Sequence, residues 1–436
     1  MLPFFNDFSI NFGSHILRSP TFYPLFIGML LRICEPHFER VRIQGTLHLF
    51  LCLVVLWSLL SLVFNLFDIV ELFHKEKQIL GIVLKSFISL LFCYMVFRYT
   101  YSTLFRIGDW DLIARGIEKA VFLSFIVMLP YILLEILAYN FHIHFFGSIL
   151  NTLEPLIHDR LYLPIEFHRI RSFCFEPSYT GLVLAIVFPY SISYLHKRIN
   201  RSVFVKFLLL PLLFTIILFS FSRAIYLAFI AELMVFIFIV LRFGKRRILL
   251  IPLLALGLIF LVFFLPPKVT GTYASLFSLK SNQISNLARY GSIIAAMRLG
   301  LYYPMFGVGP GLSGYYLHKF YPDFFFKSYM AKFWADRIES PTFALIPNFI
   351  ANIGFVGGGF FILLWVVSIV GVYRTISRYY QKKLRLDYDG MFLLMALVGL
   401  LIGSFAVDIF TFYGYWIFFG VATYYLYNRN SSLASA

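Results

Sequence analysis

Apolar stretches of about twenty residues recur along almost the entire chain. They lie near 46–67, 78–97, 119–140, 173–195, 204–221, 224–241, 248–266, 343–373, 391–409 and 411–427, separated mostly by short polar turns. A helix rises 1.5 Å per residue, so a run of roughly twenty apolar residues matches the ~30 Å hydrocarbon layer of a bilayer. In that solvent every backbone N–H and C=O must find a partner inside the segment, and for runs of this length only helices achieve it. The sequence therefore predicts an all-α, polytopic transmembrane helix bundle of about ten or eleven spans. It reads as a single integral membrane domain over residues 1–436. A shorter run at 20–34 ends in Arg32 and is either a tilted first span or an interfacial helix. Composition closes the soluble alternative: 60% of residues are hydrophobic and 13% charged, against about a quarter charged in soluble domains.

The chain carries 37 Lys and Arg against 21 Asp and Glu. An excess of this kind could serve nucleic acid, but here it gathers in short loops. Lys197, Arg198, Arg201 and Lys206 mark one connection; Arg242, Lys245, Arg246 and Arg247 a second; Arg374, Arg378, Lys382, Lys383 and Arg385 a third. Basic loops of a membrane protein stay in the cytoplasm. That puts segments 141–172 and 267–342 outside and returns the tail after Tyr427 to the cytoplasm. The segment 267–342 is far longer than any other connection, and long loops in compact proteins are commonly functional. Within it Leu287, Ile294, Met297 and Leu301 recur at helical spacing, which predicts an amphipathic helix lying on or against the bundle. Cys34, Cys52, Cys93 and Cys174 form no CxxC pair and read as packing residues. The N-terminal MLPFFNDFSINFGSH lacks a basic start and a clean apolar run, so no cleaved signal is expected.

Ionisable groups inside spans are expensive and mark function or internal pairing. Lys85, Glu135, Glu176, Arg223, Glu232 and Asp408 fall in this class. Arg223 sits in FSFSRAIYLAF, at a hairpin on the predicted outer side, where a cation opposes the usual charge bias. It is either a snorkelling interfacial Arg or the holder of an anion. In HRIRSFCFEPSYTG (168–181), Arg169 and Arg171 precede Glu176, Pro177 and Tyr179, and Pro177 suits a first helical turn. Glu176 is then either an acidic cap favoured by the helix dipole or a catalytic carboxylate. Arg289 and Arg298 are separated by about 900° of helical rotation and so face opposite ways. Gly307, Gly309 and Gly311 follow in GVGPG. No Lys-Ser/Thr pair follows them, so this is not a phosphate loop, and the plain alternative is a tight exposed turn. The outer arginines Arg171, Arg223, Arg289 and Arg298 form a kit suited to gripping phosphates. Paired metal-ligand motifs are absent from the sequence.

The order of these features resembles the O-antigen polymerase/O-antigen ligase superfamily. Ser222–Arg223 comes at a hairpin, then Arg289, then Pro304-Met-Phe-Gly-Val-Gly-Pro-Gly311, then NFIANIGFVGGG (348–359) opening a span. The likeness covers about residues 165–375, and the segment around Arg171 and Glu176 looks most like the Wzy-type surface-polysaccharide polymerases within it. The resemblance implies a membrane-embedded glycosyltransferase of the C type on the outer face of the bacterial inner membrane. Such an enzyme joins oligosaccharide repeat units in O-antigen, capsule or exopolysaccharide synthesis. Donor and acceptor would both be glycans on undecaprenyl diphosphate, in membrane lipid, with no nucleotide sugar, cofactor, metal ion or nucleic acid. A chain-length regulator and a flippase would be partners.

By position, Arg223 and Arg289 match the superfamily's functional arginines, with Glu176 as the third catalytic candidate. Arg171, Arg298, Tyr179, Gly307, Gly309, Gly311, His318 and Glu339 become substrate-binding candidates. One departure separates the branches. The ligases carry a His followed by Asn eleven positions before the first Gly of the G-x-x-G at Gly354 and Gly357; here that place is Phe343–Ala344. The missing base favours a polymerase, with Glu176, Glu339 and His318 as substitutes. The alternatives are an O-antigen ligase, a polysaccharide flippase or secondary transporter, and a membrane scaffold. Transporters commonly show inverted repeats and broken helices, and the sequence leads us to expect neither here.

Overall fold

The computed structural model describes residues 22–33, 43, 45–75, 78–157, 170–174, 177–197, 212–217, 219–220, 222–243, 284–327, 340, 342–405, 407 and 411–434. In chain order these form α1 (Phe22–Ile33), α2 (Thr46–Phe64), α3 (Leu66–Lys75), α4 (Ile79–Ile107), α5 (Trp110–Glu135), α6 (His144–Ile157) and α7 (Pro177–Lys197). There follow α8 (Arg223–Phe243), α9 (Ile284–Tyr302), α10 (Ser313–Tyr316), α11 (Leu345–Lys383), α12 (Tyr388–Gly403) and α13 (Tyr413–Ala434). No strand occurs among the described residues, so the all-α membrane bundle is borne out.

Among the described residues, six helices are long and apolar enough to cross a membrane: α2, α4, α5 with the turn after it, α7, α8 and α11. The apolar α12 is shorter, at 16 residues. The expected span at 248–266 and most of that at 204–221 lie outside the described residues, although 212–217 are helical. The described helix of the 20–34 run has 12 residues, about 18 Å, well short of the hydrocarbon thickness.

Local chemistry sets the helix ends. Asp109 caps α5 by accepting from the amides of Asp111 (2.9 Å) and Leu112 (3.3 Å). Gly108 closes α4 in the left-handed region and donates its N–H to Leu104 O at 3.1 Å. Asp387 caps α12 through the Gly390 amide at 3.3 Å.

The helices pack as α2 and α9 on α11, α8 and α7 on α12, α13 on α4, and α5 on α7. A charge network ties one end of the bundle. Lys197 Nζ, at the end of α7, meets Glu118 of α5 (2.6 Å) and Asp389 of α12. Arg429 of α13 approaches Asp387 (3.1 Å) and Asp389 (3.8 Å). Burial pulls the Lys197 ammonium down, but Asp389 and Glu118 more than offset it and hold it above its ordinary value. The helix ends that lead into the basic segments gather here: the rings of Phe243 of α8 and Tyr380 of α11 meet at 5.2 Å, tilted by 50°, and Lys382 donates to Leu433 O. At the opposite end, Leu345 N–H donates to Ser404 O (2.9 Å), joining the start of α11 to the end of α12.

One expectation is overturned here. α11 spans 39 residues but is broken at Gly354, whose φ of 75° and ψ of 175° are not helical. That region is open essentially to glycine alone, which is why the chain breaks at this residue.

Candidate functional site

The break in α11 is the structural centre of the region. At Gly354 the helix stops pairing with itself: Phe355 N–H donates to Pro304 O (2.8 Å). The freed carbonyls of Ala351 and Asn352 accept from the amides of Val308 (3.1 Å) and Gly309 (2.9 Å). The loop 304–309 therefore docks backbone to backbone into the gap. Gly307, at φ 63°, permits the approach, since a Cβ there would lie 2.4 Å from the Asn352 carbonyl carbon.

Side chains of α2 clamp the loop from the other side. Trp57 Nε1 donates to Met305 O (3.0 Å) and Ser61 Oγ to Phe306 O (2.5 Å), while the Phe306 ring stacks between Trp57 (5.2 Å) and Phe64 (4.1 Å). Trp57 lies about two turns inside the end of α2, or roughly 10 Å. Irregular backbone at such a depth survives where protein satisfies its polar groups, as it does the carbonyls of residues 304–306 and the amides of residues 307–309. Asn348 and Asn352, one turn apart, complete the seal. Ser313 N–H donates to Asn352 Oδ1 (3.0 Å), Ser313 Oγ to Asn348 Oδ1 (3.0 Å), and Asn352 Nδ2 to Asn348 Oδ1 (2.6 Å).

α9 carries the arginines. Its buried face is made of small residues: Gly291 lies against Phe325, and Gly300 against Ile350 of α11. The helix expected in the long segment is present and packed against the bundle, but not by the expected face: Leu301 is exposed and Leu287, Ile294 and Met297 are only half-buried, because small residues let the helix approach more closely on the other side. Arg289 is half-buried, its guanidinium 5.4 Å from the Phe343 ring centre, two residues before α11 begins. Arg298 is exposed on another side of the helix, Nη1 3.5 Å from Phe320 O. Burial pushes the hydroxyls of Tyr316 and Tyr321, in the turns that follow α9, up to about 12, so both stay neutral at ordinary pH.

Around Arg171 the structure is equally specific. Its guanidinium meets Glu154 of α6 at 2.5 Å with both side chains nearly inaccessible, 3% and 6% exposed. Glu135 accepts from the amides of Arg171 (3.3 Å) and Ser172 (2.9 Å), and Thr180 Oγ1 donates to Arg171 O (2.5 Å). Ser172 is held at a φ of 52°, and a π-helical turn follows Glu135 over Ile136–Asn140. Both features mark a loop fixed by its surroundings. Arg171 is thus engaged by the protein's own carboxylate rather than left open as an anion grip.

The other sequence candidates sort by position. Tyr179 is buried in the first turn of α7. Arg223 opens α8, beside α7: a Cβ on Gly181 would lie 2.6 Å from Ile225. The 170–181 and 222–226 segments therefore meet. Gly403, at the end of α12, packs on Leu182, so both segments share the bundle end where α11 begins. His318 is exposed on a 3₁₀ turn. The amides of Gly307 and Gly309 are already bonded to Tyr303 O and Asn352 O, and Gly311 abuts Ser86; the turn is a plug and not an exposed loop. Lys85 faces outward from α4, whereas Glu232 is buried against Gly399 of α12. Glu176, Glu339, Asp408 and the Arg223 side chain lie outside the described residues. Trp57, Ser61, Glu154, Ser313, Asn348 and Asn352 escaped the sequence reading, although the one-turn spacings Trp57–Ser61 and Asn348–Asn352 mark shared helix faces.

The break also bears on the transporter alternative, because the polar groups it frees are consumed by the 304–309 loop instead of lining an ion site. Among known families, a model described as O-antigen ligase matches residues 207–362. That range holds Ser222, Arg223, Arg289, the Gly-rich loop and the break itself. No curated protein matches the chain.

Proposed function

We propose that this chain, whose residues 207–362 match a family model described as O-antigen ligase, is a member of the O-antigen ligase/polymerase superfamily, and the polymerase rather than the ligase. The family supports a multi-pass membrane enzyme of polysaccharide synthesis acting on lipid-linked glycans. The finer reading is that it joins undecaprenyl-diphosphate-linked repeat units at the outer face of the bacterial inner membrane. The charge-tied end, with its basic loops, is then cytoplasmic, and the end carrying Arg289 and the start of α11 is external.

In this reaction an acceptor hydroxyl attacks the anomeric carbon of the donor sugar. A C–O bond forms, the bond to the diphosphate breaks, and the hydroxyl proton passes to a base. Negative charge builds on the departing lipid diphosphate, and a fixed, always-charged guanidinium stabilises it by charge-assisted hydrogen bonds. Arg289 suits this role because it is half-buried, on a helix packed against α11, and beside the residues that open α11. Arg223 is the second arginine of the set, and Glu176, Glu339 and His318 are the candidates for the base.

The observation that carries polymerase over ligase is Phe343. The position where ligases hold their His is an aromatic ring beneath the Arg289 guanidinium, with no atom able to accept a proton. Deleting the gene tests the choice. Loss of a polymerase leaves single repeat units on the acceptor lipid or on undecaprenyl diphosphate. Long carrier-linked chains in the deletion strain would instead identify a ligase.

A further inference from the structure

At the charge-tied end of the bundle a cavity of about 290 Å³ opens between the last turns of α11 and α13, lined by Arg378, Gln381, Lys382, Asn430 and Leu433. We propose that it is a binding site for the headgroup of an anionic phospholipid. The inference is independent of the glycan chemistry proposed above.

Three observations converge on it. The first is charge imbalance. Of the acids described at this end, Glu118, Asp387 and Asp389 are engaged by Lys197 and Arg429, Asp111 approaches Arg429 at 3.8 Å, and Asp109 accepts from the first amides of α5. Among the described residues no carboxylate lines the cavity and no acid pairs with Arg378. The second is arrangement. Arg374, Arg378 and Lys382 fall at successive four-residue steps on one exposed face of α11, with Gln381 and Asn430 adding amide groups at the mouth. Lys382 is anchored by its bond to Leu433 O, which fixes one cation at the wall and leaves Arg378 to provide the planar donor fork.

The third is depth. The part of α11 after its break runs ~43 Å, which exceeds the ~30 Å of hydrocarbon by two to three turns. Its end, from Arg374 onward, therefore projects into the headgroup layer, where a leaflet rich in anionic lipid presents phosphates at the height of the cavity. A phosphodiester accepts from Arg378 and Lys382, and the lipid tails lie along the exposed apolar residues of α11 above, Val366 and Val370.

The test uses the full chain in nanodiscs, with retained lipid counted by native mass spectrometry. The probes are phosphatidylglycerol, phosphatidylcholine and, as the soluble source of the same chemistry, inorganic phosphate. Wild type should retain one phosphatidylglycerol in preference to phosphatidylcholine. Arg378→Gln should lower that preference about fivefold, the worth of one interfacial cation, while Lys383→Gln, outside the cavity, should leave it intact. Arg378 is exposed and holds no described carboxylate, so this single change keeps the test clean even if Arg378→Gln with Lys382→Gln fails to fold. Equal retention of both lipids would overturn the proposal. So would an equal loss from Lys383→Gln, which would mean diffuse surface charge, or displacement of the lipid by inorganic phosphate, which would mean a soluble-anion site.

Discussion

Replacing Gly354 with Ala attacks the backbone conformation that seats the 304–309 loop in the break of α11. At φ 75° and ψ 175° any residue with a Cβ is strained by about 1–3 kcal/mol. The added carbon would also lie 2.4 Å from Met305 O and 2.7 Å from Pro304 O, both backbone atoms that cannot rotate aside. The loop 304–309 must then withdraw, giving up the Phe355–Pro304, Val308–Ala351 and Gly309–Asn352 hydrogen bonds. Each buried group left without a partner costs about 1–3 kcal/mol. A straightened α11 sheds the strain and re-pairs Phe355 N–H and the Ala351 and Asn352 carbonyls within the helix, which leaves Pro304 O, Val308 N–H and Gly309 N–H without partners. At the low end for these three groups, Gly354→Ala should destabilise the protein by roughly 3 kcal/mol. The assay is thermal unfolding of purified protein in nanodiscs, paired with hydrogen exchange over 304–309. Gly359→Ala is the internal control: it sits in the same helix with open space around it, so it should leave stability unchanged or raise it by about 0.5–1 kcal/mol. Wild-type melting and undiminished protection of Val308 and Gly309 in Gly354→Ala would refute the reasoning.

Arg289→Ala should abolish polymer at near-normal protein abundance, Arg289→Lys should restore part of it, and Arg298→Ala should be better tolerated; polymer blots read beside membrane protein levels decide, and equal losses at both positions would remove the helix-face argument. Arg171→Ala should act differently, since stripping one partner from a buried ion pair costs about 3–5 kcal/mol: the amount of folded protein in the membrane should fall, and an inactive variant at full abundance would contradict the paired geometry. Cysteine labelling should place residues near Lys245 and Lys382 in the cytoplasm and residues near Lys280 and Asp323 outside; access to Asp323 from the cytoplasm alone would invert the orientation.

Sequence alone settled the solvent and therefore the fold class. Lipid admits only self-paired backbone, so apolar runs of the right length dictate helices, and the matched range 207–362 contains Arg223, Arg289, the Gly-rich turn and the opening of α11. The opposite facing of Arg289 and Arg298 was also legible, because one helical period fixes it. What the linear pattern could not carry was the pairing of groups distant along the chain. NFIANIGFVGGG reads as the start of an ordinary span, yet Gly354 breaks it because Pro304 O, Val308 N–H and Gly309 N–H arrive to satisfy the broken bonds. Arg171 carries the same charge as Arg289 in the sequence, and only the approach of Glu154 and Glu135 from α6 and α5 makes the first a buried brace. Hydrophobic matching to the bilayer is a one-dimensional property of a segment. Hydrogen-bond satisfaction inside it depends on which other segments pack alongside, and that only the tertiary structure decides.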